Sequence, residues 1–218
     1  LAQATTVLDR IAAEDSYNPA SGWLYDSRDQ EHRRPGSYGW WYRTTPTAHY
    51  AYTNGQALYY LLAAYHFGRG RALDGRQRWR DMALRVLDQA LAVQTAEGNF
   101  GYAYSGETGR IVDPFGFAGC WFVPALVLAW VADRDERYLA AARRGLAFYR
   151  GYVDRLWCWG TPMDTRKAVD QEGVLAFIRG ARLLHQLAGD ADALDALDAG
   201  ARYEYLFRFA FRTRPEAE

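Results

Sequence analysis

The segment FAGCWFVPALVLAWVAD, residues 117–133, decides how this chain is built. Its apolar residues cover all sides of a helix, and such a helix is buried within a protein core. Pro124 fits the first helical turn, where its missing backbone N–H leaves no hydrogen bond unmade. Because the apolar run is too short to cross a bilayer, the segment predicts a buried helix of a globular domain.

Two other segments have the same character. They are TNGQALYYLLAAYHF (53–67) and DQEGVLAFIRGARLLHQLAG (170–189), and Thr53 with Gln56 fits a capping box at the start of the first. Each apolar segment has a glycine near its start, namely Gly55, Gly119 and Gly173. The spacings between these glycines are 64 and 54 residues. An amphipathic segment follows each apolar one, beginning near residues 77, 135 and 191. This period predicts an array of antiparallel helical hairpins, preceded by a helix in residues 1–15.

The connections between the predicted hairpins are much longer than those within them. The long connections are residues 16–52, 96–118 and 154–172, and the short ones are 68–76, 133–134 and 189–190. In antiparallel hairpins, all the long connections lie at one end of the array. They hold many of the Trp and Tyr residues together with acids, so we expect this end to carry the function.

The composition excludes several classes of partner. Lys and Arg together number 26, as do Asp and Glu, so nothing indicates nucleic acid or a membrane as a partner. The 218 residues suffice for one sizeable core. Cys120 and Cys158 lack the spacing of a zinc site, and their sequence positions leave open whether they pair. We expect no metal and no cofactor.

The three apolar segments and their amphipathic partners resemble the six-hairpin (α/α)-toroid glycosidases. Relatives of that group include unsaturated glucuronyl hydrolases, sugar 2-epimerases and toroid polysaccharide lyases. The resemblance implies an all-α fold of antiparallel hairpins that form a partial (α/α) toroid, with the long loops on one face. Three hairpins make about half of a six-hairpin ring. We therefore expect residues 1–218 to form one domain, the C-terminal part of a larger protein whose N-terminal half completes the toroid.

The resemblance also implies a carbohydrate-active enzyme, and we interpret the chain as a glycoside hydrolase for an oligo- or polysaccharide. Such enzymes place two carboxylates about 5–5.5 Å apart for retention or about 6.5–9.5 Å apart for inversion. The long connections offer four catalytic candidates: Asp113, Asp164, Asp170 and Glu172. Each also has a structural interpretation. Asp170 suits the N-cap of the third apolar helix, Glu172 suits its first turn, and Asp113 and Asp164 suit turns beside proline.

Aromatic side chains in the same connections are candidates for substrate binding. We assign this role to Trp40, Trp41, His49, Tyr50, Trp121 and Trp159. Trp121 equally fits a buried core position, and the adjacent Trp40 and Trp41 point opposite ways if their backbone is extended. His49 and Tyr50 would instead be the base and acid of a polysaccharide lyase or sugar epimerase. A non-catalytic domain that binds glycans or packs against a partner is a third interpretation.

Overall fold

The computed structural model describes residues 2–28, 35–36, 48–69, 76–161 and 167–208. Three hairpins follow a leading helix there, which confirms the predicted all-α architecture. The helices of this described part are α1 (Ala2–Ile11), α2 (Ala51–Gly68), α3 (Gln77–Val93), α4 (Phe122–Asp133), α5 (Glu136–Val153), α6 (Gln171–Ala188) and α7 (Asp192–Tyr205). Short 3-10 turns occupy Glu14–Ser16, Ala118–Trp121 and Leu206–Arg208.

The inner helices α2, α4 and α6 pack side by side, and the outer helices α3, α5 and α7 pack behind them. Helix α4 lies at the centre, and its first eight residues are all buried. Gly55 allows α2 to approach it, because a Cβ atom there would lie 2.6 Å from the Cβ of Trp121. Gly180 does the same for α6, where a Cβ atom would lie 2.7 Å from Val123 Cγ1.

The predicted capping box at Thr53 is wrong. Helix α2 begins at Ala51, and Tyr50, its N-cap residue, makes no side-chain capping bond. The backbone N–H of Ala51 instead donates to the carbonyl of Tyr102, at 2.9 Å. Thr53 therefore lies inside the first turn, and its hydroxyl donates to the Asp26 carboxyl group. A neighbouring chain segment satisfies the start of this helix in place of a local side chain.

The long connections contain short strands that the sequence did not predict. Two hairpins come first, β1 (Tyr17–Asn18) with β2 (Trp23–Leu24) and β3 (Ser27–Arg28) with β4 (Pro35–Gly36). An antiparallel sheet then joins the first long connection to the second, in the order β5 (Ala48–Tyr50), β6 (Ala103–Ser105) and β7 (Ile111–Asp113). These strands have only two or three residues, too few to show an alternating pattern.

The third long connection is hydrogen-bonded to the second. The carbonyl of Trp159 accepts from Phe117 N at 2.8 Å, and that of Gly160 accepts from Ala118 N at 3.1 Å. All three long connections thus meet at the N-terminal ends of α2, α4 and α6. This confirms the prediction that they share one end of the array.

The core is continuous across the hairpins, and both Cys120 and Cys158 lie within it as free thiols. Burial raises the pKa of each thiol, which keeps both protonated. Among the helices of the described ranges, none is long and apolar enough to cross a membrane.

Candidate active site at the ends of the inner helices

Two groups of polar and aromatic side chains lie at the end where the long connections meet. We name the first the aromatic–arginine cluster and define it as Tyr52, Tyr59, Trp121, Glu172 and Arg179. We name the second the lysine cluster; its members are Asp113, Lys167, Tyr102 and Trp159. Helices α2 and α6 supply most of the first group, and the second and third long connections supply the second.

Trp121 organises the aromatic–arginine cluster. The Tyr52 ring meets it edge-on, with centroids 6.3 Å apart and planes at 87°. The Tyr59 ring lies two helical turns further along α2, also 6.3 Å from Trp121. The guanidinium carbon of Arg179 lies 5.0 Å from the Tyr59 ring centroid and 5.3 Å from that of Trp121. Arg179 is therefore held by cation–π contacts, and no carboxylate of the described residues forms an ion pair with it.

Glu172 adds an exposed carboxylate beside these rings. Burial, and then a hydrogen bond to Glu172, raise the pKa of Tyr52 to about 12, so the Tyr52 hydroxyl stays protonated and donates. Trp121 is 4% exposed, and its indole Nε1 has no hydrogen-bond partner within the described part of the chain. The cluster thus combines the half-buried rings of Tyr52 and Tyr59, which pack on the buried Trp121, with one exposed carboxylate and a cation that has no carboxylate partner among the described residues.

The lysine cluster is held together by short polar contacts. Lys167 Nζ lies 2.5 Å from Asp113 Oδ2 and 2.6 Å from the carbonyl oxygen of Phe115. It also lies over two rings, 4.3 Å from the Tyr102 centroid and 5.5 Å from that of Trp159. The other oxygen of Asp113 accepts from Phe115 N at 3.0 Å. Asp113 keeps about a third of its side chain (34%) exposed, so it still reaches solvent.

Tyrosines at the start of α2 connect the two clusters. Burial, then the carboxylates of Asp26 and Asp113, raise the pKa of Tyr50. Burial, then Glu172, raise the pKa of Tyr52. The Tyr50 ring also meets that of Tyr102 edge-on, at 5.8 Å. Glu172 therefore lies beside the first turn of α2, and Asp113 lies on β7, two strands away from Tyr50 in the three-stranded sheet.

The other predicted site residues have different surroundings. Asp170 is the N-cap of α6, and its Oδ1 accepts from Glu172 N at 2.7 Å. His49 and Tyr50 are buried (0% and 3% exposed). Asp164, Trp40 and Trp41 fall outside the described residues.

Asp26 is a buried carboxyl group whose environment the sequence did not indicate. It accepts from the Thr53 hydroxyl and from Tyr50 N, at 3.4 Å for the latter. Burial raises its pKa to about 7, against an ordinary value of 3.8. It borders a cleft of about 380 Å³ between α1 and α2, which Gln56 and Tyr60 also line.

His49 forms a hydrogen-bonded network beside Asp26. The side-chain oxygen of Asn18 accepts from Ala20 N. The side-chain nitrogen of Asn18 therefore donates to the Gly106 carbonyl and to His49 Nε2, which is 3.0 Å away. Nε2 therefore accepts, and the ring proton sits on Nδ1, which is 4.0 Å from Asp26 Oδ2. Burial lowers the pKa of His49 to about 4, so the ring is neutral near pH 7.

Three members of the two clusters carry a weak sequence signal. Tyr52 and Tyr59 are seven residues apart in a helix, and Lys167 is the single lysine of the chain. Nothing in the sequence places Arg179 against Trp121. Among the described residues, no group of three or more His, Cys, Asp or Glu side chains is arranged to hold a metal ion.

The chain matches no protein-family model, and no curated protein is similar to it in sequence. It is similar in structure to a variant of an unsaturated glucuronyl hydrolase studied with the oligosaccharide dGlcA-Glc-Rha-Glc. The TM-score is 0.60 at 13% sequence identity, over 99% of this chain. The chain has the fold of a partial (α/α) toroid, as predicted. It spans 57% of the length of that hydrolase chain.

Proposed function

We propose that the chain is part of a carbohydrate-active enzyme of the six-hairpin (α/α)-toroid glycosidases, a glycoside hydrolase acting on an acidic oligosaccharide. The aromatic–arginine cluster would bind the sugar. Asp113 and Glu172 would be its catalytic carboxylates. The fold supports this proposal, because a structural neighbour with the same helical architecture was studied with an oligosaccharide.

The observation that carries the proposal is the aromatic–arginine cluster, in which Tyr52 and Tyr59 present partly exposed rings beside a cation and a carboxylate. Sugar rings present C–H faces that pack on aromatic surfaces, and their hydroxyl groups need both donors and acceptors. Arg179 is a cation without a carboxylate partner in the described chain, and a guanidinium matches a carboxylate with two parallel hydrogen bonds. A sugar acid, such as the dGlcA of the neighbour's oligosaccharide, has that carboxylate.

The surroundings of the two carboxylates suggest different roles. Asp113 accepts from the Lys167 ammonium and from Phe115 N, so each of its oxygens has a donor and the group is held in one orientation. We assign it the role of the carboxylate that activates water or attacks the sugar. Glu172 has an exposed side chain beside Tyr52, and we assign it proton transfer to the leaving oxygen.

The alternative of a lyase or epimerase that uses His49 and Tyr50 gains no support from their positions. Both side chains are buried, and the neutral His49 ring has its Nε2 directed at Asn18. The third interpretation, a glycan-binding domain without catalysis, needs only the aromatic–arginine cluster. A glycan-binding domain would bind the saccharide without cleaving it, whereas a hydrolase would cleave it.

The test is release of reducing ends from acidic and neutral oligosaccharides, beginning with dGlcA-Glc-Rha-Glc. We expect Asp113→Asn and Glu172→Gln each to lower kcat by about 10²- to 10⁴-fold, because acid–base catalysis contributes that much. Arg179→Met should raise KM for acidic substrates and leave KM for neutral ones unchanged.

Asp170→Asn is the matched control, since Asn also caps a helix and the capping position is preserved. We expect it to retain wild-type kcat. Saccharide binding without turnover by the wild-type protein would favour the glycan-binding interpretation. Absence of both binding and turnover would overturn the proposed function.

A further inference from the structure

Lys167 stands out first by its residue type. It is the single lysine among 26 Lys and Arg residues, so arginine occupies all other cationic positions. An ammonium group is a compact charge with three donors, whereas a guanidinium is a wide planar fork. Position 167 is therefore the one place in the chain where a compact cation stands in place of a planar one.

The backbone of Lys167 is also unusual. Its φ of 50° lies in the left-handed region, which residues other than glycine seldom adopt. Such a conformation persists where surrounding contacts hold it in place. Here the side chain supplies those contacts, because the ammonium group reaches back from the third long connection to the second.

Protein atoms contact most of the ammonium group. Two of its donors serve Asp113 Oδ2 and the Phe115 carbonyl, at 2.5 and 2.6 Å. The Tyr102 and Trp159 rings cover its remaining sides. The Lys167 side chain is only 21% exposed. This arrangement leaves little of the cation for a ligand, so its effect is exerted on Asp113.

Lys167 and Phe115 together fix the orientation of the Asp113 carboxylate. Each oxygen of that group has its own donor, Phe115 N on Oδ1 and Lys167 Nζ on Oδ2. The backbone that carries Asp113 and Lys167 is closely packed, because the second and third long connections cross at Gly116 and Gly160. A Cβ atom at Gly160 would lie 2.9 Å from the Cα of Gly116, so only glycine allows this approach.

We propose that Lys167 is a positioning residue that holds Asp113 in its catalytic orientation. The inference rests on the proposed function of Asp113. It assigns Lys167 no contact with the substrate. The role predicts a specific kinetic result, namely loss of kcat with little change in KM.

The experiment compares Lys167→Met, Lys167→Arg and the control Arg143→Met, with dGlcA-Glc-Rha-Glc as the probe substrate. Arg143 forms an ion pair with Asp190, at 2.8 Å, near the end of α6 opposite the site. We expect Lys167→Met to lower kcat by about 100-fold, the effect of displacing a catalytic group by about 1 Å, with KM changed less than about threefold. Lys167→Arg keeps the charge and should recover about tenfold of that loss.

The melting temperature of each variant separates positioning from folding. We expect Lys167→Met and Arg143→Met to lower it by similar amounts, with kcat lost only in the former. Wild-type kcat in a folded Lys167→Met would overturn the inference alone, and so would a loss explained by the unfolded fraction. A wild-type protein without turnover would overturn the proposed function and this inference together.

Discussion

Replacing Asp26 by Asn should change how the stability of this protein depends on pH. In the folded state Asp26 binds its proton up to a pKa of about 7, against 3.8 ordinarily. Neutral His49 nearby has a pKa of about 4, against 6.5 ordinarily. Folding therefore favours a protonated Asp26 beside a neutral His49, whereas the unfolded chain near pH 5 has both groups charged.

The two residues have opposite effects on the free energy of unfolding. Between pH 3.8 and 7 the folded state binds more protons than the unfolded state at Asp26, so this contribution declines as pH rises, by about 4 kcal/mol in total. At His49 the unfolded state binds more protons between pH 4 and 6.5, so this contribution increases with pH, by about 3 kcal/mol. In the wild-type protein the two slopes largely cancel from pH 4 to 6.5.

Asp26→Asn removes the Asp26 contribution to the pH dependence of the free energy of unfolding and leaves that of His49. We expect its free energy of unfolding, measured by urea denaturation, to rise with pH by up to about 3 kcal/mol from pH 4 to 6.5, relative to wild type. Above pH 7 the variant should be the more stable protein, because it no longer ionises a buried carboxyl group. His49→Gln should show the opposite slope. Asp198→Asn, at an exposed ion pair with Arg202, is the control and should follow wild type. Parallel curves for wild type and Asp26→Asn would refute the reasoning.

The remaining predictions concern the packing of the inner helices. Asp170→Ala should lower the free energy of unfolding by about 1 kcal/mol in urea denaturation, because it removes the cap of α6; equal stability would contradict the capping role. Gly55→Ala should lower it by about 1–3 kcal/mol, since the new methyl group would meet the Trp121 Cβ at 2.6 Å. Gly151→Ala is its matched control, because the nearest atom to the new methyl group is 3.8 Å away on the flexible Arg155 side chain. It should raise stability by about 0.5–1 kcal/mol, the gain from replacing a helical glycine. A destabilised Gly151→Ala would contradict this account of the glycines.

Features that depend on residues close in sequence were predicted successfully. The apolar run and the position of Pro124 predict a helix over residues 121–132, and both of its ends differ by one residue from those of α4 (Phe122–Asp133). Asp170 was predicted as a cap because its partner, Glu172 N, is two residues away. The common end of the long connections followed from the antiparallel hairpins, without knowledge of any side-chain contact.

Features that depend on distant contacts were not predicted. Lys167 and Asp113 are 54 residues apart, and no pattern in either segment indicates that they meet. The burial of Asp26 could not be predicted, because the residues that contact it, Thr53 and Tyr50, are 27 and 24 positions away in the sequence. The capping box at Thr53 failed for the same reason, since the carbonyl of Tyr102 already satisfies the first turn of α2.

The most direct test of the proposed site is a crystal structure of the Glu172→Gln variant with dGlcA-Glc-Rha-Glc. We expect electron density for the sugar at the Tyr52 and Tyr59 rings, with the dGlcA carboxylate hydrogen-bonded to both terminal nitrogens of Arg179. The glycosidic oxygen should lie between residue 172 and Asp113. A saccharide bound elsewhere on the chain, or one that leaves Arg179 without contact, would contradict the assignment of this end of the inner helices as the active site.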